Sequence, residues 1–166
     1  MQQWESYMDI SVILATFGRE DFFKNTLESF TNLDTNQLSW ELIIIDNADR
    51  EQTRNLVNQY SDILPIKFQT ELNPGKNNAI NTGISLASGK ILLFTDNDVI
   101  AEKNWLKSTI SGTEKNKIFD IFGGRILPKF SVEPKNINLN NIRIKGSLGI
   151  ADWGEKPEKI PSWKAW

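Results

Sequence analysis

The segment "NPGKNNAINTGISLASGKILLFTDND", residues 73–98, holds the pattern from which the fold is read. Asn73-Pro74-Gly75 is a turn, because Asn and Gly accept backbone dihedrals that other residues avoid. Ile80, Gly83, Ile84 and Ala87 then recur on one helical face, with Gly89 placed to end the helix. "KILLF", 90–94, is short and uniformly apolar, as a strand buried on both sheet faces should be. It runs straight into Thr95, Asp96, Asn97 and Asp98. Turn, helix, strand and polar exit make up half of a strand–helix–strand unit. Carboxylates separated by a single Asn repel each other, so the pair either caps the local backbone or attracts a cation.

The same unit repeats upstream. "ISVILA" (10–15), "ELIII" (41–45) and "PIKF" (65–68) are further buried-strand candidates. Phe23, Leu27 and Phe30 form a helical stripe after the first. Leu56, Val57 and Tyr60 form another after the second, with Asp49 and Gln52 spaced like a capping box. Repeated three times, this predicts an α/β chain: a single domain with an open, mostly parallel, Rossmann-like sheet and helices on both faces. Beyond Ile100, "EKNWLKSTISG" reads as a short helix and "KIFDIFGGRILP" as a strand entering a Gly-Gly bend. Residues 131–166 read as extended or irregular, with one strand at 141–148. The expected division is a ligand-binding domain over 1–128 and an irregular connector over 129–166.

Composition narrows the chemistry. The chain has 166 residues, 39% hydrophobic and 24% charged, with net charge −2, so no strong field draws it to nucleic acid. It contains neither Cys nor His. Any metal must then sit on oxygen ligands, which favours Mg²⁺, Mn²⁺ or Ca²⁺, and any general base must be Asp or Glu. No apolar run is long enough to span a bilayer. The opening "MQQWESYMDI" lacks a signal-peptide pattern, so a cytoplasmic protein is expected. "GISLASGK", 83–90, imitates a P-loop, but its glycine spacing is wrong and it closes a helix instead of opening one.

In open parallel sheets, ligands bind beyond the carboxyl ends of the strands. There this sequence places "TFGR" (16–19), "DNAD" (46–49), "TELNPGKNN" (70–78) and "TDND" (95–98). Small polar groups, a glycine turn and several acids therefore gather on one edge. Asp46 either caps the following helix or faces a ligand. Lys76 opposes the helix dipole unless an anion binds nearby.

Taken in order, "SVILATFGR", "LIIIDNAD", the 73–98 segment and "GGRILP" resemble the nucleotide-binding half of family 2 glycosyltransferases of the GT-A fold, over roughly residues 9–128. The resemblance implies that Thr16 and Phe17 line a base pocket and that Asp46 accepts a hydrogen bond from a uracil N3–H. It implies that Asp96 lies near the ribose and metal, and that Asp98 coordinates Mn²⁺ or Mg²⁺. Arg19, Lys76, Asn81 and Asn97 complete the implied donor-binding set. Gly123 and Gly124 would let backbone approach the donor sugar beside Arg125. The implied activity is metal-dependent, inverting transfer of a hexose from a UDP-sugar to a hydroxyl of a saccharide, lipid or protein. Such an enzyme would be cytoplasmic or peripheral to the inner face of the membrane. The family also carries a later Glu-Asp motif whose Asp is the general base, and none follows "GGR" here. Glu133, Asp152, Glu155 and Glu158 are the only late acids. The sequence is therefore expected to be cut short before the base, with donor binding outlasting transfer. The alternative is a non-catalytic nucleotide-sugar module that self-associates through its open edge. A nucleotidyltransferase is less favoured, since no Gly- and Arg-rich signature follows the first strand.

Overall fold

The computed structural model describes residues 8–132, 134–135, 138–139, 141–152 and 154. Two compact units divide the chain, residues 1–115 and 116–166. The first contains β1 (Met8–Thr16), α1 (Glu20–Thr31), β2 (Trp40–Asp46), α2 (Glu51–Asn58), β3 (Ile66–Thr70), α3 (Lys76–Leu86), β4 (Gly89–Thr95) and α4 (Trp105–Lys115). The strands lie in the order β3-β2-β1-β4, and every pairing is parallel. The chain steps outward from β1 to β2 to β3, then returns through α3 to the far side of β1. Right-handed crossovers require such a return to pass over the opposite face.

Side-chain alternation divides the core accordingly. Ile10, Val12, Leu14, Leu42 and Ile44 face Phe23, Leu27 and Phe30 of α1, Leu56 and Val57 of α2, and Leu106 of α4. Trp105 stacks on Phe30 with ring centroids 5.8 Å apart. Ile13, Ile43 and Ile45 point the other way, against Ala79 of α3. Helix α3 sits close because its contact positions are small: a Cβ added to Gly83 would lie 2.6 Å from Ile13 Cγ2. The four-residue stripe expected here is correspondingly narrower. Ala79 and Gly83 are buried, whereas Ile84, about 100° further round the helix, is 40% exposed.

Two expected end signals act differently. Gly89 does not close α3, which stops at Leu86; it opens β4, where a Cβ would collide with the Ser11 backbone. Asp49 and Gln52 form no capping box. Asp49 adopts φ 49° and bonds Arg54 Nη2 at 3.0 Å, while the Asp46 carboxylate accepts the Ala48 and Arg50 amides, each at 2.9 Å.

A buried charge fastens the opposite end of the sheet. Glu41 Oε1 accepts the Ser11 hydroxyl (2.5 Å), the Ser88 amide (2.8 Å) and the Ser88 hydroxyl (2.7 Å). The Lys67 ammonium lies 2.5 Å from Oε2, close enough to neutralise it although off the hydrogen-bond direction. Burial raises the Glu41 pKa, but Lys67 and these donors outweigh it and hold the carboxyl at about 2.

In the second unit, Ile126 and Ala151 form an antiparallel bridge, and Arg125 Nε binds Asp152 Oδ1 at 2.7 Å. That guanidinium holds the Asp152 carboxyl below the usual carboxylate range. The strand expected at 141–148 is instead a helix, α5 (Ile142–Ser147). Ile142 and Ile144 alternate as in a strand, but Asn141 caps a helical turn by accepting the Arg143 amide at 2.9 Å. The strand expected before the Gly-Gly bend does not form: residues 117–122 are turn and irregular, and the single bridge, at Ile126, follows the bend. Glu133, Glu155 and Glu158 lie outside the described residues. Among the described residues, no helix is long and apolar enough to cross a membrane.

Candidate functional site

The connections leaving β1 and arriving at β4 pass over opposite faces, so a crevice opens between the carboxyl ends of these two strands. Asn97 bridges it. Its Nδ2 donates to Thr16 Oγ1 at 2.8 Å and to the Gly18 carbonyl at 2.9 Å. Thr16 is thereby buried and fixed, and it is the register partner of Asp46 on β2. Further along, Thr26 Oγ1 donates to the Val99 carbonyl (2.9 Å) and Ser29 Oγ accepts the Ala101 amide (3.0 Å). The segment after β4 is thus sewn onto α1 while Asp96 and Asp98 remain partly exposed.

Each of those acids meets a cation from a different helix start, Arg19 just before α1 and Lys76 at the first position of α3. Asp98 Oδ2 binds Arg19 Nη1 at 2.9 Å, and Asp96 Oδ1 binds the Lys76 ammonium. Arg19 precedes α1 in a left-handed conformation, φ 63° and ψ 47°, directly after Gly18 at φ 82°. Its guanidinium carbon lies 4.6 Å from the Phe22 ring centroid, a cation–π contact that steadies an otherwise mobile side chain. Lys76, Asp96, Ile80, Phe94 and Thr95 line an open hollow of about 230 Å³ between α3 and β4.

The remaining sequence candidates separate. Phe17 stands 71% exposed at the crevice mouth. Asp46 is fully buried, with an oxygen on each of two backbone amides. Asn81 lies on the solvent side of α3, two residues from both Ala79 and Gly83, the buried positions. Gly123 and Gly124 belong to the second unit, where an added Cβ would meet nothing within 4 Å.

Asn47, which the sequence did not single out, is the main organiser of the neighbouring loops. Its Nδ2 donates to the carbonyls of Glu71 (2.7 Å) and Asn73 (2.8 Å), and its Oδ1 accepts the Gly75 amide (2.7 Å). Its own amide donates to the Thr16 carbonyl at 2.9 Å. Glu71 then accepts the Thr82 hydroxyl and the Asn73 amide, which lower its pKa in that order. The signal was a carboxamide immediately beyond a strand end, where three loops converge.

Among the described residues, no three His, Cys, Asp or Glu side chains converge as a closed metal cage. The available donors are the two carboxylates Asp96 and Asp98. This set suits a hard cation such as Mg²⁺ or Mn²⁺, which takes one or two carboxylates and leaves its other positions to water and phosphate.

The glycosyl transferase family 2 model matches residues 11–159. A glycosyltransferase of Haloferax volcanii, AglE, is 32% identical over 123 residues, 70% of this chain and 39% of that protein. The Escherichia coli enzyme WfgD, a UDP-Glc:alpha-D-GlcNAc-diphosphoundecaprenol beta-1,3-glucosyltransferase, is 29% identical over 84% of this chain and 57% of its own length. Staphylococcus aureus TarS in complex with UDP-GlcNAc superposes with a TM-score of 0.58 at 25% identity, over 82% of this chain and 42% of that one. The chain thus spans between about two-fifths and three-fifths of these relatives.

Proposed function

Because the chain belongs to glycosyl transferase family 2, we propose that residues 1–128 bind a nucleotide-sugar donor, a UDP-sugar, for metal-dependent transfer of a hexose to an acceptor hydroxyl. The observation that carries this reading is the β1–β4 crevice, where Asn97 locks Thr16 while Asp96, Asp98, Arg19 and Lys76 surround the opening. Phe17 offers an exposed aromatic face on which a base can stack. Asp46 keeps unused lone pairs, each carboxylate oxygen having two, but its nearer duty is to hold the β2–α2 turn. Asp96 and Asp98 would hold Mn²⁺ or Mg²⁺. When bound, the cation supplies positive charge against a diphosphate leaving group. The relatives named for UDP-linked donors support uridine over other bases. We assign no general base among the described residues.

Thermal unfolding with UDP, GDP and dTDP sugars, with and without Mn²⁺, tests the donor class. A UDP-sugar at a hundred times its Kd should add about 2.7 kcal/mol, or about 5–10 °C. The shift should require metal; equal shifts from all three nucleotides without metal would remove the proposal.

A second reading, a binding module that pairs with another chain, is favoured by one observation. Leu92 and Phe94 on β4 and Ile84 on α3 are large apolar side chains left 39–50% exposed. Light scattering decides this: a stable dimer abolished by Phe94→Lys supports it, and a monomer at high concentration ends it.

A further inference from the structure

Asp96 and Asp98 are engaged before any ligand arrives, and by residues that local preferences would not put there. Lys76 is the first residue of α3, where the helix dipole disfavours positive charge, and that first turn contains no acid to compensate. Arg19 holds a left-handed backbone that costs a non-glycine residue about 1–2 kcal/mol. Both irregularities deliver a cation to the same acidic pair from opposite sides, one from α3 and one from α1. All four side chains are exposed enough to exchange partners, between 37% and 61%.

A divalent cation beside these carboxylates competes with the Arg19 guanidinium and the Lys76 ammonium for the same negative charge and repels both. A divalent cation that takes Asp98 Oδ2 and Asp96 Oδ1, the oxygens now paired, weakens the hold on Arg19 and Lys76. Both groups stay tethered at the mouth of the crevice, where a diphosphate would present new negative charge. We propose that Arg19 and Lys76 are exchangeable counter-ions of Asp96 and Asp98. They compete with the divalent cation in the empty site and pass to the donor's diphosphate once the cation is bound. Metal and nucleotide then favour each other, and this coupling is reciprocal. The inference rests on the donor-site reading above and concerns how that site is loaded.

Opposite signs distinguish exchange from a structural role. Mn²⁺ binding is followed by the electron-paramagnetic signal of free Mn²⁺ without nucleotide, and UDP binding by calorimetry at saturating Mn²⁺. Arg19→Gln and Lys76→Gln should each bind Mn²⁺ about two- to fivefold more tightly, the value of an exposed ion pair. Each should bind UDP more weakly by at least that factor, and Lys76→Arg should restore wild-type behaviour in both assays. Gln at position 19 keeps the backbone restriction of Arg and removes the charge together with its contact on Phe22. Unchanged or weaker Mn²⁺ binding in either Gln variant overturns the exchange while leaving the donor site standing. Failure of the wild-type chain to bind UDP with Mn²⁺ overturns the donor site, and the exchange with it, before any variant is made.

Discussion

Replacing Glu41 with Gln removes a charge buried in the sheet while keeping the shape of the side chain. The carboxylate accepts three hydrogen bonds from Ser11 and Ser88 and neutralises Lys67. The amide can keep some of the bonds on one oxygen, but its NH₂ group must face either the Lys67 ammonium or the Ser88 donors. Folding lowers the Glu41 pKa from 4.5 to about 2, which corresponds to at most about 3 kcal/mol of stability at neutral pH. Because the folded value lies below the unfolded one, the stabilisation is complete above the unfolded pKa and is lost as pH falls. From the same two values it should be about 2 kcal/mol near pH 3.5 and about 1 kcal/mol near pH 2.5. Urea unfolding of wild type and Glu41→Gln at pH 7, 5 and 3.5 measures it directly. The variant should lose about 2–3 kcal/mol at pH 7, about 5–10 °C in Tm, and the gap should narrow toward acid. A gap that stays constant from pH 7 to pH 3.5 would refute an ionic origin and leave only packing.

Three further substitutions probe the scaffold of the site. Asn97→Ala removes the bonds to Thr16 and Gly18, so it should cost about 1–3 kcal/mol in urea unfolding and weaken UDP binding disproportionately. Asn47→Ala releases the 71–75 loop at three points, and hydrogen exchange of the Gly75 amide should accelerate while amides within β1 stay protected. Gly83→Ala forces a Cβ to 2.6 Å from the β-branched Ile13. Its overpacking cost of about 1–3 kcal/mol should exceed the helix-propensity gain of about 1, giving a lower Tm despite the better helix former.

The sheet and its helices were readable because their signals are redundant. β1 and β2 are apolar runs buried almost throughout, and Phe23, Leu27 and Phe30 mark the covering face of α1 without ambiguity. β4, an equally apolar run expected to be buried on both faces, instead alternates half-buried residues with the exposed Leu92 and Phe94, because among the described residues it is an edge strand paired only with β1. What escaped was chemistry that depends on three dimensions. Ser11, Glu41, Ser88 and Lys67 are up to 77 residues apart in sequence and look like ordinary surface polar residues until the sheet joins them. Asn47 is inconspicuous beside Asp46 because nothing local reveals that its partners are Glu71, Asn73 and Gly75. Period-two spacing misled at Ile142 and Ile144, where a single capping Asn decided for helix. At the candidate site the strand exits and their acids were legible as a group, whereas the Arg19 and Lys76 pairings were not, since both join residues more than one element apart.

The central claim, a metal-dependent donor site at the β1–β4 crevice, is tested most directly by calorimetric titration of UDP, with and without Mn²⁺, into the wild-type chain and Asp98→Ala. Binding should require Mn²⁺ and disappear in Asp98→Ala while the circular dichroism spectrum stays native. Undiminished binding in Asp98→Ala, or none of UDP, GDP or dTDP to the folded wild-type chain with metal present, would contradict it.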